Sequence, residues 1–123
     1  MSAMLLSIKP RYARGILEGK KRYEFRKNKP KCSVTRIVLY ASSPQQQVVG
    51  EATIDEFLEG SPDEIWSITK GFAGITKQFF SSYYAGRGKA IAYKLTEVTV
   101  YETPKDLSDF GVARAPQSFT YLD

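Results

Sequence analysis

The sequence contains no histidine, and it has a single cysteine, Cys32. Without histidine, the chain has no imidazole to bind a metal ion or to act as the base in Ser-His or Cys-His catalysis. One cysteine forms no disulfide within the chain. Carboxylates alone are able to hold Mg²⁺, but the acidic residues form no clustered motif that indicates such a site. We therefore expect neither a metal ion nor a cofactor.

Long hydrophobic runs are also absent. The apolar stretch at residues 1–8 is too short for the hydrophobic region of a signal peptide or for a membrane span. We therefore predict a cytoplasmic protein with no membrane contact. A chain of 123 residues has the length of one domain, and its composition, 42% hydrophobic and 25% charged, is typical of globular proteins. No repeat or linker divides it, so we predict a single domain over residues 1–123.

Acidic residues are scarce in the first third of the chain. Residues 1–36 contain eleven Lys and Arg but only two acids, which gives this segment a net charge of +9, whereas the whole chain carries +5. Such polarised charge is typical of proteins that bind a polyanion. The same charge also serves to keep a small protein in solution, so charge alone does not decide between these two interpretations.

The hydrophobic pattern predicts the element order β-α-β-β-β-α-α-β, followed by a tail that packs back onto the body. The first helix is expected from Pro10 to about Glu18, with Gly19 ending it. A capping box at Ser61 and Glu64 starts the second helix. These elements predict an α+β fold, a small mixed or antiparallel barrel of about five strands with flanking helices. The strands are expected at 4–8, 23–26, 34–41, 48–58 and 90–101. The third helix is expected from about 75 to 86, and a last short helix is expected at 104–110.

The predicted strand at residues 23–26 carries the main candidate site. Strand alternation places Glu24 and Arg26 on one face and Tyr23 on the other. Lys20 and Lys21 lie just upstream, at the turn. A guanidinium and an ammonium suit a phosphate or a base edge, and a carboxylate accepts hydrogen bonds from an amine or a hydroxyl. The alternative is an exposed Glu–Arg pair on the outside of the barrel, worth under about 1 kcal/mol.

Other candidate residues lie elsewhere in the chain. Ser42 and Ser43 follow a strand, where they form either a ligand contact or a simple turn. Arg87 and Lys89 add positive charge to a glycine-containing turn. Two tyrosines are candidates for pocket walls, whereas helical spacing favours a core role for a group of four aromatic residues. The pocket-wall tyrosines are Tyr23 and Tyr40, and the helical aromatic residues are Phe79, Phe80, Tyr83 and Tyr84.

The spacing Gly19, Lys21, Glu24 and Arg26 resembles the hallmark G-x-K-x-x-E-x-R of the ASCH (activating-signal-cointegrator homology) family, within the PUA-like superfamily. Residues 6–10, 39–44, 49–51, 84–86 and 116–119 also resemble this family, so the similarity covers nearly the whole chain. The resemblance implies a small β-barrel with a cleft between barrel and helices, lined by the hallmark residues. It also implies binding of RNA or nucleotides and a role in transcription or translation regulation.

The resemblance leads us to expect a module that binds RNA, another nucleic acid or a nucleotide. Lys9, Lys21 and Arg26 would contact phosphate or a base edge, and Glu24 would orient them. A second hypothesis is a hydrolase acting on RNA or a modified nucleoside, with Lys21 and Glu24 as catalytic residues. In the branch similar to acetylcytidine amidohydrolases, Lys21 matches the catalytic Lys, but Glu24 stands where that branch has Thr, and 69–74 contains no acid. A third hypothesis is a protein-interaction domain whose basic face meets an acidic partner.

Overall fold

The computed structural model describes residues 2–122 and places six β-strands and three α-helices in that part of the chain. Two short 3-10 helices follow α2 and β5, at Lys70–Phe72 and Leu107–Phe110. Within residues 2–122, no helix has the length and apolarity needed to cross a membrane. The strands are β1 (Ala3–Ile8), β2 (Tyr23–Arg26), β3 (Arg36–Ala41), β4 (Gln47–Gly60), β5 (Ala90–Lys105) and β6 (Phe119–Leu122), and the helices are α1 (Pro10–Leu17), α2 (Pro62–Thr69) and α3 (Lys77–Tyr83).

The six strands form one sheet in the order β2-β5-β4-β3-β1-β6. β1 and β3 are parallel, and the other neighbours are antiparallel. The sheet curls far enough for Arg26, on the edge strand β2, to hydrogen-bond Ser7 of β1 and Ser118 beside β6. The predicted barrel-like α+β fold is therefore confirmed. The tail is more than a packed segment, because its residues form the sixth strand.

Buried apolar residues form three clusters around the curled sheet. Met4, Leu6 and Ile8 point into the main cluster inside the barrel, and Leu5 points to the other face, as strand alternation requires. A further cluster lies between the sheet and helices α2 and α3, where Phe25 packs edge-on against Phe80 at 5.2 Å between ring centroids. The two helices are thus fixed beside β2, the strand that carries the predicted site.

Two side-chain caps determine where these helices begin. The predicted capping box at α2 is confirmed: Glu64 N donates to Ser61 Oγ at 3.2 Å, and Ser61 N donates to Glu64 Oε1 at 2.9 Å. At α3, Phe79 N donates to Thr76 Oγ1 at 3.0 Å. The Thr76 cap starts α3 at Lys77, slightly later than the pattern predicted.

The last predicted helix is only partly present. β5 continues past Tyr101 to Lys105 because its residues still pair with β4, with Gly50 opposite Val100 and Val48 opposite Lys105. Pro104 is therefore part of the strand, and the helical turn begins only at Leu107. Register shifts in the ladder between β4 and β5 mark bulges, which strengthen the local twist and help the sheet to curl.

Candidate functional site

Lys21 reaches the interior of the protein because the chain turns sharply after α1. Gly19 adopts φ +79°, and the amides of both Lys20 and Lys21 donate to the carbonyl of Gly15. The Lys21 side chain then passes against Gly74, where an added Cβ would lie 2.4 Å from Lys21 Cβ. Glycine at position 74 is therefore required for the lysine to fit. The result is a lysine that is only 2% exposed.

Lys21, Glu24 and Arg26 converge in one buried charge cluster. The Lys21 ammonium donates to the carbonyl of Ala73 at 2.8 Å and lies 3.6 Å from Glu24 Oε1. Arg26 Nε donates to Glu24 Oε2 at 3.0 Å, and its Nη2 lies 2.8 Å from the same oxygen. Glu24 is 7% exposed. The pair is therefore not the exposed ion pair considered as the alternative, and two cations share one carboxylate.

The environment of Lys21 disfavours its charged form. Burial lowers the pKa of Lys21 below its ordinary value, the nearby Glu24 carboxylate partly offsets this effect, and the Arg26 guanidinium adds to the lowering. The neutral amine is therefore more accessible to Lys21 than to an exposed lysine. A lysine perturbed in this way is common at functional sites, although structural ion pairs also produce such shifts.

All three nitrogens of the Arg26 guanidinium donate to other groups of the protein. Nη1 donates to Ser118 Oγ and Nη2 to the carbonyl of Ser7, each at 3.1 Å. Ser7 Oγ in turn donates to the carbonyl of Pro116 at 2.6 Å. On the main chain, the hydroxyl of Tyr84 donates to the carbonyl of Arg26 at 2.9 Å. Arg26 therefore orients Glu24 and fastens the barrel at this point.

The charge cluster forms the floor of a cleft of about 170 Å³ between the barrel and helices α1 and α3. Its walls include the rings of Tyr12, Phe79 and Tyr83. Lys9 lies at the rim, with its ammonium 5.8 Å from the centroid of the Phe79 ring. The Lys21 ammonium faces Tyr12 in the same way, at 5.5 Å. The lining residues are Ser7, Ile8, Lys9, Tyr12, Lys21, Glu24, Phe25, Arg26, Ile75, Phe79 and Tyr83.

Two predicted site residues next to the hallmark positions do not line this cleft. Lys20 points away, with a side chain that is 80% exposed and an ammonium 3.3 Å from Glu18 Oε1. Tyr23 packs on the cluster beneath α2 and α3, on the face of β2 opposite Glu24, as the strand alternation predicted. The structure therefore separates Lys20 and Tyr23 from Lys9, Lys21, Glu24 and Arg26.

The other candidates line two further depressions. Ser42 and Ser43 line a groove of about 370 Å³, together with Tyr40 and with Lys9, which this groove shares with the cleft. Arg87 and Lys89 line a wider groove of about 1100 Å³ on the other side of Arg26. Ser42, Ser43, Arg87 and Lys89 are thus near the cleft but outside it.

Sequence reasoning missed the aromatic walls of the cleft. Phe80 and Tyr84 are buried, as the helical spacing predicted, but Phe79 is 37% exposed and faces the cleft with Tyr83. Phe79 and Tyr83 are four residues apart, and Phe80 and Tyr84 form a parallel pair one position on. The spacing therefore held a signal for two distinct aromatic faces.

Comparison with known proteins finds relatives that are similar in sequence and in overall fold. The family model described as ASCH domain matches residues 6–109. A protein of Zymomonas mobilis named "ASCH domain-containing ribonuclease" is 32% identical over 96% of this chain and 82% of its own length. The crystal structure titled ASCH from Zymomonas mobilis superposes with a TM-score of 0.89 at 29% identity, covering 98% of this chain and 87% of that one.

A relative of a different kind is much longer than this chain. The large ribosomal subunit protein uL22 of Ureaplasma parvum is 31% identical over 97% of this chain, but this chain spans only 39% of that protein. The similarity to uL22 therefore concerns one segment of the longer protein.

Proposed function

The chain belongs to the ASCH domain family, and from that premise we propose that it binds RNA, with one unpaired base in the cleft above Lys21, Glu24 and Arg26. The observation that carries this proposal is the combination of aromatic walls and a buried charge cluster in one small cleft. The relative that is named as a ribonuclease supports RNA as the class of ligand.

The walls of the cleft suit a nucleobase. Proteins that recognise single-stranded RNA stack its unpaired bases on aromatic rings. Tyr12, Phe79 and Tyr83 offer such rings around one opening. A volume of about 170 Å³ lies below the roughly 300–1,000 Å³ of pockets that enclose drug-sized ligands. The cleft therefore suits a single planar group better than a whole nucleotide, and the sugar and phosphate would remain outside.

The floor and rim supply polar recognition. Glu24 carries acceptor oxygens, while Lys21 and Arg26 supply donors and keep the local charge positive. Lys9 is exposed at the rim, where its ammonium is able to meet the phosphate next to the bound base. Because Lys21 and Arg26 are already bonded to protein groups, we assign the phosphate contact to Lys9.

A pair of exposed phenylalanines allows a sharp test of stacking. Phe79 (37% exposed) lines the cleft, whereas Phe72 (45% exposed) does not. We expect Phe79→Ala to weaken the binding of fluorescently labelled single-stranded RNA about tenfold, as loss of one stacking ring does. Phe72→Ala serves as the control and should leave the affinity unchanged. Equal affinities of wild type, Phe79→Ala and Phe72→Ala would refute a base in this cleft.

A second candidate function is hydrolysis of RNA or of a modified nucleoside such as acetylated cytidine. The observation that favours it is Lys21, which has a lowered pKa and lies 3.6 Å from Glu24 in the cleft. A neutral Lys21 would accept a proton from the attacking oxygen, and Glu24 would orient that oxygen. The name of the Zymomonas relative supports the ribonuclease form of this proposal.

Hydrolysis is tested with labelled RNA and with acetylated cytidine, using Lys21→Met and Glu24→Gln. Both substitutions keep the shape of the side chain and remove its charge. If the proposal is right, product forms with wild type and is abolished in both variants, while thermal unfolding shows that they remain folded. Product that forms equally with all three proteins comes from a contaminating enzyme.

We also propose that the protein regulates transcription or translation through RNA binding. This proposal is tested by crosslinking RNA to the protein in cells, compared between wild type and Phe79→Ala. We expect mRNA or structured RNA to crosslink to the wild type, and we expect this crosslinking to be lost in the variant. Undiminished crosslinking in the variant would contradict a regulatory role for the cleft.

A further inference from the structure

A wide basic groove lies beside the cleft, beyond the end of β2. Its volume is about 1100 Å³, and it is open along its length. The lining side chains include five cations from two separate segments of the chain, the loop after β2 and the turn before β5. The cations are Lys27, Lys29, Lys31, Arg87 and Lys89.

Local carboxylates neutralise only a small part of this charge. Glu59 is the one acidic residue among the described lining residues, and it holds Lys29 at 2.6 Å and Lys89 at 3.4 Å. Lys27, Lys31 and Arg87 form no ion pair within residues 2–122, and all three are exposed. The groove therefore keeps a net charge of about +4 and attracts a polyanion.

The groove adjoins the cleft where Lys27 contacts Tyr83. Lys27 follows Arg26 directly, and its ammonium lies 4.8 Å from the centroid of the Tyr83 ring. Tyr83 lines the cleft and Lys27 lines the groove, so this contact brings the edges of the two depressions together. A chain molecule with one residue in the cleft would therefore have its next residues at the groove.

We propose that this groove binds the phosphodiester backbone of single-stranded RNA, on the side of the base that occupies the cleft. This inference rests on the proposed function and extends it from one base to a run of nucleotides. Backbone tracking by a positive groove with aromatic side chains is the usual mode of single-strand binding. Phe119 and Tyr121 line the far side of the groove, and Tyr121 is 37% exposed, so rings are present there for further bases. These rings and the contact of the groove with the cleft through Lys27 and Tyr83 favour RNA over an acidic protein.

The test compares two RNA lengths with two matched triple variants. The groove variant is Lys27→Gln, Lys31→Gln and Arg87→Gln, and the control variant is Lys70→Gln, Lys94→Gln and Lys105→Gln. Both remove three positive charges, but the control residues line neither the cleft nor the groove. An RNA of one nucleotide, a nucleoside monophosphate, fills the cleft only, whereas an oligonucleotide of about eight residues has the length of a typical single-strand site.

We expect the affinity of the groove variant for the longer RNA to be at least about tenfold lower than the affinity of the control variant. The slope of log affinity against log salt, which is negative, should also become shallower by about 2, since each lost phosphate contact on a single strand removes about 0.7 from its magnitude. Binding of the single nucleotide should differ less than twofold between the two variants. Equal binding of the longer RNA by both variants, with wild-type binding intact, would overturn the groove and leave the cleft standing.

Two other outcomes separate the remaining possibilities. If wild type binds neither RNA, the proposed function fails, and the groove proposal fails with it. If the groove variant loses the binding of polyglutamate but keeps full affinity for the longer RNA, the groove serves an acidic protein and our proposal is wrong.

Discussion

The guanidinium of Arg26 and the hydroxyl of Ser118 are hydrogen-bonded at 3.1 Å, although 92 residues separate them in the chain. Arg26 ends the edge strand β2, and Ser118 precedes β6, the strand at the other edge of the sheet. Because no backbone ladder joins β2 to β6, this side-chain contact and the one to Ser7 fasten the curled sheet at the cleft. The site and the closure of the barrel therefore depend on the same arginine.

Replacement of Arg26 should destabilise the fold. Arg26→Met leaves the buried Glu24 with only Lys21 as a charged partner and removes the contacts to Ser7 and Ser118. We expect the free energy of unfolding to fall by about 3 kcal/mol, as when one partner of a buried ion pair is removed. Urea denaturation monitored by tryptophan fluorescence measures this change.

The matched control for this substitution is Arg22→Met, four residues earlier. Arg22 is exposed, and its guanidinium stacks over Phe72 at 4.0 Å from the ring centroid. We expect its loss to cost at most about 1 kcal/mol. Equal stabilities of Arg26→Met and Arg22→Met would contradict a fastening role for Arg26.

Gly74 should not tolerate a larger side chain, because its α-carbon packs against Lys21. An added Cβ would lie 2.4 Å from both Cβ and Cγ of Lys21, and the φ of +70° adds strain. Gly111 has a similar φ of +73°, but no atom lies within 4 Å of its added Cβ. Gly111→Ala therefore measures the cost of the backbone conformation alone, about 1 kcal/mol.

We expect Gly74→Ala to lower the free energy of unfolding by a further 1–3 kcal/mol or so, as overpacking of a buried site does. Because Lys21 must shift, RNA binding at the cleft should weaken as well, while Gly111→Ala, at a residue outside both the cleft and the groove, binds normally. The comparison needs thermal melts and binding curves for both variants. If the two variants melt together, Gly74 does not control the position of Lys21.

The stability of the protein should carry a signature of Lys21 in its pH dependence. Burial lowers the pKa of Lys21 in the folded protein, whereas unfolding returns it to about 10.5. Between these two values the unfolded chain binds a proton that the folded chain does not, so the Lys21 contribution to the free energy of unfolding rises with pH. Lys21→Met lacks this contribution. Its stability relative to wild type should therefore fall as the pH rises toward 10.5.

Lys20→Met is the control for this measurement, since its side chain is 80% exposed. We expect its stability relative to wild type to stay level over the same pH range, measured by urea denaturation at several pH values. A level difference for Lys21→Met as well would show that the fold does not disfavour the charged form of Lys21.

Local features of the sequence were sufficient to predict part of the site. Strand alternation placed Glu24 and Arg26 on one face, and Gly19 marked the turn that brings Lys21 beneath them. Both are properties of a few consecutive residues. The same local reasoning located the capping box at Ser61, and the structure contains it.

The rest of the site depends on contacts between distant segments, which a single sequence does not reveal. Helical spacing separates Phe79 and Tyr83 from Phe80 and Tyr84, but only the packing of α3 on the sheet decides which pair faces the core. Likewise, the contact of Arg26 with Ser118 follows from the curling of the sheet. The basic groove also combines residues from two distant segments, so its cations were recognised only in part.

The hydroxyl of Tyr84 should contribute measurably to stability, because it connects β2, the strand that carries Glu24 and Arg26, to β5. It donates to the carbonyl of Arg26 at the end of β2, and it lies 3.3 Å from the amide of Ile91, which donates to it from β5. Burial raises the pKa of Tyr84, so the hydroxyl stays protonated and remains a donor. Tyr84→Phe leaves a buried carbonyl and amide without this partner, and we expect the free energy of unfolding, measured by urea titration, to fall by about 1–3 kcal/mol.

Tyr23→Phe is the control, because Tyr23 is half-buried and its hydroxyl has no hydrogen-bond partner in residues 2–122. This substitution should change the free energy of unfolding by much less in the same urea titration. Equal losses in the two variants would mean that the Tyr84 hydroxyl does not secure Arg26, and that the contacts to Glu24, Ser7 and Ser118 hold the arginine without it.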